Sequence, residues 1–307
     1  MDDKTARRVA LIVAPLSSFI NPFMGASINV ALKAMEHDLA LDAVLLGWVQ
    51  TAFLLAGAAV LVPAGRFSDI FGRRRVFVAG TLLFSAASLG AGLAWGPVSF
   101  LAARVVQGIG SAMMVANAVS ILVSVFPPEK RGRVIGLNVA AVYAGLALGP
   151  VLGGLLTSHL SWRWIFLLAV PLGLTAAGLT LGKLRAEWAD ARGERFDRAG
   201  AVIYALAIPL LMFGVTRLPG PAGLVLVAAG IAGLALFGVL ALRADDPLYP
   251  VRALGRNRMF AFSNLTAFLT YSTSYGIPFL LSLYLQHIGG LDAAAAVFEY
   301  LDVDVVE

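Results

Sequence analysis

Long reaches of this chain carry no charge, and no other feature constrains its fold as much. A lysine, arginine or aspartate near the centre of a bilayer costs about 2.5–3.5 kcal/mol, so charge-free tracts mark the segments that can sit in lipid. They fall at about 9–32, 43–65, 76–95, 134–157, 164–182, 199–216, 222–242 and 259–287. Each is close to the roughly 20 residues a crossing helix needs. A further tract, 98–125, holds a single charge, Arg104. Composition agrees, with 59% of residues hydrophobic and 13% charged, where a water-soluble domain has about a quarter charged. "WGP" at 95–97 and "PGP" at 219–221 divide longer apolar tracts into hairpins, because proline and glycine break helices. The expectation is an all-α polytopic membrane protein with nine spans.

Basic residues between the tracts orient them, since they accumulate in cytoplasmic loops. One face collects Lys4, Arg7 and Arg8, then Arg66 and Arg73 to Arg75, then Lys130, Arg131 and Arg133, and later Lys183, Arg185, Arg192, Arg195, Arg198, Arg243, Arg252, Arg256 and Arg258. The other face keeps only Lys33, Arg163 and Arg217. A multi-pass protein of the plasma membrane with a cytoplasmic N-terminus is expected, its first tract retained as an uncleaved span. The pI of about 9.7 follows from this topology, so no nucleic-acid surface is called for.

The chain has no cysteine, and His37, His159 and His287 are unpaired at helical spacing. No metal site or cofactor is therefore expected. A membrane enzyme would need a nucleophile with its base, paired acids or metal ligands, and the spans offer none of these sets.

Four stretches depart from plain apolar helix. "GRFSDIFGRRR" at 65–75 is expected to form the cytoplasmic turn between the second and third spans, with Gly65 and Gly72 easing the backbone at its ends and the arginines resisting translocation. Asp69 is not explained by orientation and suits capping or pairing with a base on a neighbouring helix. In "RVVQGIG" at 104–110, Arg104 lies inside its span with Gln107 one turn on. A charge at that depth normally faces the bundle interior or a watery cavity; the plainer reading is an arginine snorkelling to the interface. "GLALGPVLGG" at 145–154 sets Gly145, Gly149 and Gly153 on one face, a groove for another helix, with Pro150 weakening the helix inside it. Asn21, Pro22, Ser27 and Asn29 interrupt the first span, and "YSTSYGIP" at 271–278 repeats that device in the ninth. Such polar residues serve either as helix-to-helix glue or as the lining of a cavity. A substrate cavity could draw on Asn21, Asn29, Met113, Met114, Asn117, Tyr143, Tyr271 and Tyr275, since methionine adapts its shape and tyrosine offers a ring and a hydroxyl. Simple packing is the alternative for each.

Together these motifs resemble the major facilitator superfamily, and within it the fourteen-span drug:proton antiporter group. The stretch 65–75 is similar to that family's loop signature between helices two and three, 104–110 to its fourth-helix arginine motif, and 145–154 to its fifth-helix antiporter motif. "SWRWIFLLAVPLG" at 161–173 is similar to the entry into the sixth helix. The resemblance covers about residues 8–290. It implies a six-helix bundle at 1–184, a cytoplasmic linker at 185–198 and two accessory spans at 199–243. A cytoplasmic loop with the first helix of a second bundle would occupy 244–287, and an acidic, non-spanning tail 288–307. The implied activity is efflux of small amphipathic compounds or drugs by alternating access, with a coupling proton, in the lipid bilayer. Arg104, with Gln107 and Gly108, would support the substrate or coupling-ion site. Asp69, with Gly65, Gly72 and Arg73, would meet the opposite bundle in one state, and Gly145, Gly149, Pro150 and Gly153 would bear on the closing interface.

Two departures bear on that expectation. The family's first helix often carries an aspartate before "TIVNVALP", thought to take the proton; here the stretch reads "MGASINVALK", with Met24 at the acidic position. Arg104 is then expected to meet Asn21, Asn29 or a carbonyl freed by Pro22. After "SLYLQHIGGL" the last sixteen residues hold five acids, too many for a tenth span. This predicts a chain truncated after about the ninth helix, inserted but not transporting alone, and prone to self-association. Transport of another small solute without proton coupling is the further alternative.

Overall fold

The computed structural model describes residues 3–184, 186–252 and 257–287. Residues up to Tyr249 form one compact unit and the chain from Pro250 belongs to another. The first unit contains α1 (Asp3–Leu39), α2 (Ala43–Phe71), α3 (Arg73–Gly92), α4 (Pro97–Val125), α5 (Pro128–His159), α6 (Arg163–Lys183), α7 (Arg198–Thr216) and α8 (Pro221–Arg243). All eight are long and apolar enough to cross a membrane. The second unit shows α9 (Arg258–His287) over the expected ninth tract. The acidic tail at 288–307 lies outside the described residues.

The helix starts follow local chemistry. Asp42 caps α2 by accepting from the Leu45 N–H at 2.8 Å, and Asp197 caps α7 through the Gly200 N–H at 2.8 Å. Pro97, Pro128 and Pro221 stand in the first turns of α4, α5 and α8, where a missing N–H is harmless. Several helices outrun the charge-free tracts. α2 continues through its charged end to Phe71, so Gly65 is an ordinary helical residue with open space beside it. The expected turn at 65–75 thus narrows to Gly72 alone, whose φ of +114° favours glycine. Hydropathy marks where lipid ends; the backbone ladder continues as long as its N–H groups have partners.

Within α1 to α6, α1 lies along α5, α3 along α4 and α6, and α2 along α4. Two apolar clusters fill the interior. One is built on Ile20, Phe23, Phe84, Phe100, Trp162 and Phe166, with Phe100, Trp162 and Phe166 meeting edge to face at 5.4–5.9 Å. The other holds Val13, Phe77, Met114, Ala118, Ile121 and Leu122. The α7–α8 hairpin packs on α2. Its outward side chains, such as Val225 at 67% and Val202 at 58% exposure, would be untenable in water over so wide a surface and are at home in lipid.

Candidate functional site

α2 and α4 cross closely because α4 carries glycine at the contact. A Cβ at Gly108 would run into the Phe53 carbonyl oxygen and the Ala56 methyl. This crossing brings Val49, Gln50 and Phe53 against Arg104, whose side chain is 1% exposed. The Arg104 Nε donates to the Val49 carbonyl at 2.9 Å, one terminal nitrogen donates to the Gln50 side chain at 3.1 Å, and the other to Gln107 Oε1. The Phe53 ring centre lies 4.4 Å from the guanidinium carbon and the Phe166 ring 5.8 Å, close enough for cation–π attraction. Gln107 extends the network, donating to Ser88 Oγ at 2.7 Å and meeting Met24 Sδ at 3.7 Å. Residues from α1, α2, α3, α4 and α6 therefore form one network around a buried cation, which points inward and does not snorkel. Charge-assisted hydrogen bonds and ring faces offset part of its desolvation.

Arg104 is not served as the sequence suggests. Its acceptors come from α2 and its own helix, and Asn21, Asn29 and the Pro22 region take no part in them. Asn21 instead keeps both side-chain polar atoms buried with no partner among the described residues. Asn29 is exposed. Asn117 donates to the Met113 carbonyl at 2.7 Å and leaves its buried oxygen without a described partner. Met113 is half-buried with its Cβ against Gly80, and Tyr143 is 56% exposed on α5. Met114 is fully buried in the apolar cluster with Phe77 and Ala118 and serves as packing rather than lining; apolar residues of α1 and α3 share that cluster. The side chains of Tyr271 and Tyr275 lie outside the described residues.

The glycine groove of α5 is occupied by α1 of the same bundle. A Cβ at Gly145 would come 2.5 Å from the Phe19 carbonyl oxygen, and one at Gly149 or Gly153 would come 2.6 Å from the Cβ of Ala26 or Ser27. Ser27 Oγ donates to the Gly149 carbonyl at 2.9 Å. Pro150 turns away, on the exposed side of the helix.

At the α2–α3 corner the arginines find partners that charge counting overlooks. Arg73 bonds Asp69 at 2.9 Å through Nε, Asp190 at 2.7 Å and Ser124 Oγ at 3.1 Å. Arg66 pairs with Glu194, and Arg75 lies 3.5 Å from Glu187. Arg74 donates to the Leu181 carbonyl at 3.0 Å and to that of Thr180 at 3.4 Å, satisfying carbonyls at the end of α6. Backbone bonds from the Arg73 N–H to the Trp188 carbonyl and from the Ala191 N–H to the Asp69 carbonyl lay the segment 188–191 of the α6–α7 linker against the corner. Acids at 187, 190 and 194 in that linker were the available signal.

A bundle of eight apolar helices with a hydrogen-bonded cation at its centre, a glycine-lined helix seam and a charged corner defines a multi-pass membrane protein. The chain belongs to the Major Facilitator Superfamily, which it matches over residues 16–301. It is 35% identical to the cephamycin export protein CmcT of Amycolatopsis lactamdurans over 94% of this chain and 60% of that protein. It is 32% identical to the tetracenomycin C resistance and export protein of Streptomyces glaucescens over 86% of this chain and 50% of that one. The riboflavin transporter RibZ of Clostridioides difficile is 26% identical over 94% of this chain and 63% of its own length. The chain thus spans about half to three-fifths of these relatives.

Proposed function

We propose that this chain supplies the first bundle and accessory helices of a secondary transporter that exports small amphipathic compounds by alternating access. The buried Arg104 network carries the reading. A cation sealed among five helices is an unfavourable choice for mere scaffolding, and such charges mark solute pathways. The export and resistance proteins named above support the direction of transport. Met24 touches Gln107 at the position where the family's first helix often carries an aspartate, which speaks against coupling through an acid at that position. The basic loops support a cytoplasmic N-terminus in the plasma membrane. On this reading Asp69 and Arg73 contact a second bundle in one state of the cycle, and the α1–α5 seam keeps those two helices moving together.

The test supplies the chain with a second six-helix bundle, fused or co-expressed, and follows efflux of a fluorescent amphipathic probe from loaded cells. Arg104→Leu is expected to lower efflux at least about tenfold with insertion unchanged, and Arg104→Lys to keep part of it, because lysine lacks the planar fork. Unimpaired efflux in the leucine variant overturns the reading. Orientation is checked on the naturally cysteine-free chain. A cysteine at exposed Lys33 should react with an impermeant reagent on intact cells and one at exposed Arg192 should not.

A further inference from the structure

Arg163 and Arg217 are basic residues on the side of the bundle where basic residues are scarce, and only one of them is accounted for. Arg163 donates to Asp38 at 2.9 Å and to the carbonyls of Gly92 and Ala94 at 3.1 and 2.7 Å. Arg217 follows the last turn of α7, exposed, with its guanidinium carbon 4.8 Å from the Phe213 ring centre. Among the described residues no carboxylate forms a salt bridge with it. A cation held in this way calls for an anion.

Phe213 is also a wall of a cleft. α7 packs on α2 without touching α4, which leaves an opening of about 730 Å³ between the three helices. All twelve lining side chains are apolar, among them Trp48, Leu55, Leu101, Val105, Leu206 and Phe213. Trp48 and Phe213 face each other with ring centres 5.4 Å apart, near the end of the cleft where Arg217 sits. Tryptophan and arginine at the end of a membrane helix mark the headgroup level. From Trp48 to Leu55 the wall runs seven residues, about 10 Å along the helix. A free anion has no use for such a lining, and a peptide would bring backbone groups that the lining cannot satisfy. A molecule with an anionic head and a hydrocarbon tail matches both ends.

We propose that this cleft holds an acyl chain of an anionic phospholipid, with its phosphate against Arg217 and its glycerol region beside Trp48 and Phe213. The lipid fills the wedge that the α7–α8 hairpin leaves beside α4. In vesicles of phosphatidylcholine and phosphatidylglycerol, one of the two carries brominated chains that quench tryptophan on contact. The Trp48 signal is the difference between the parent protein and Trp48→Phe. Brominated phosphatidylglycerol is expected to quench it about fivefold more effectively than brominated phosphatidylcholine, the contribution of one basic residue beside an anionic lipid surface. Arg217→Gln should bring that ratio to about one. Ala102→Phe, which narrows the cleft from an exposed position on α4, should weaken quenching by both lipids. Equal quenching by the two lipids in the parent protein would overturn the proposal. Quenching unchanged by Ala102→Phe would also overturn it, by placing the contact on bulk lipid. Absence of quenching by either lipid would do the same, by showing that protein, such as a second copy, covers Trp48.

Discussion

Arg104 and Arg73 are both held by three or more groups, yet by opposite chemistry. Arg104 has neutral acceptors and ring faces around it; Arg73 has two carboxylates and a hydroxyl. Depth explains the contrast. At the corner, water screens the charges and an ion pair forms at little cost or benefit. Within the membrane a carboxylate would have to be desolvated as well, and amide oxygens, a backbone carbonyl and polarizable rings bind the cation without a second charge. A neutral cage also leaves the positive charge uncancelled, so its field extends to whatever enters the bundle.

The contrast can be broken most severely at Gly108. Gly108→Leu should push α2 off α4, remove Val49 and Gln50 from Arg104 and strand a buried charge, costing about 3–5 kcal/mol; the folded yield in mild detergent and the melting temperature would report it. Gln50→Leu removes one acceptor and should cost about 1–3 kcal/mol, whereas Gln50→Glu should retain most of the stability. At the corner, Arg73→Gln should cost about 1 kcal/mol at low salt. That loss should vanish in 1 M salt, where the Debye length is about 3 Å, while the Gln50→Leu deficit should persist. The smallest effect is expected for Arg66 and Glu194. The exchange Arg66→Glu with Glu194→Arg should recover a coupling of roughly 0.2–1 kcal/mol lost in either single variant. Equal salt sensitivity at the two sites would show that depth is not what separates them.

Much of this architecture can be read from hydropathy and turn residues. The charge-free tract 43–65 announces α2, the "PGP" at 219–221 separates α7 from α8, and Arg104 stands out because arginine is rare in lipid. Partners are another matter. Gln50 lies 54 positions from Arg104, and only the Gly108 crossing makes it the neighbour in place of Asn21, which is equally polar and equally deep. The acids at 187, 190 and 194 are invisible to orientation rules, which count basic residues and give acids little weight. Met114 shows the limit of residue type as a guide. Methionine suits both a binding surface and a packed core, and its position relative to α1 and α3 decides between them.

The α1–α5 seam has a mechanical consequence. The two helices run in step, Gly145 beside Phe19 and Phe23, Gly149 beside Ala26, Gly153 beside Ser27, so that neither can slide or tilt without its backbone striking the other. They act as one spliced beam. α1 carries Pro15 and Pro22 and α5 carries Pro150, and the pairing sets Pro22 within about one helical turn of Pro150. A proline removes a rung of the helix ladder, so both members of the beam are weakened within about one turn of each other, next to Asn21, whose buried amide has no partner among the described residues. A force on either helix would flex the pair near these prolines, and a ligand hydrogen-bonding Asn21 would press close to where the beam gives.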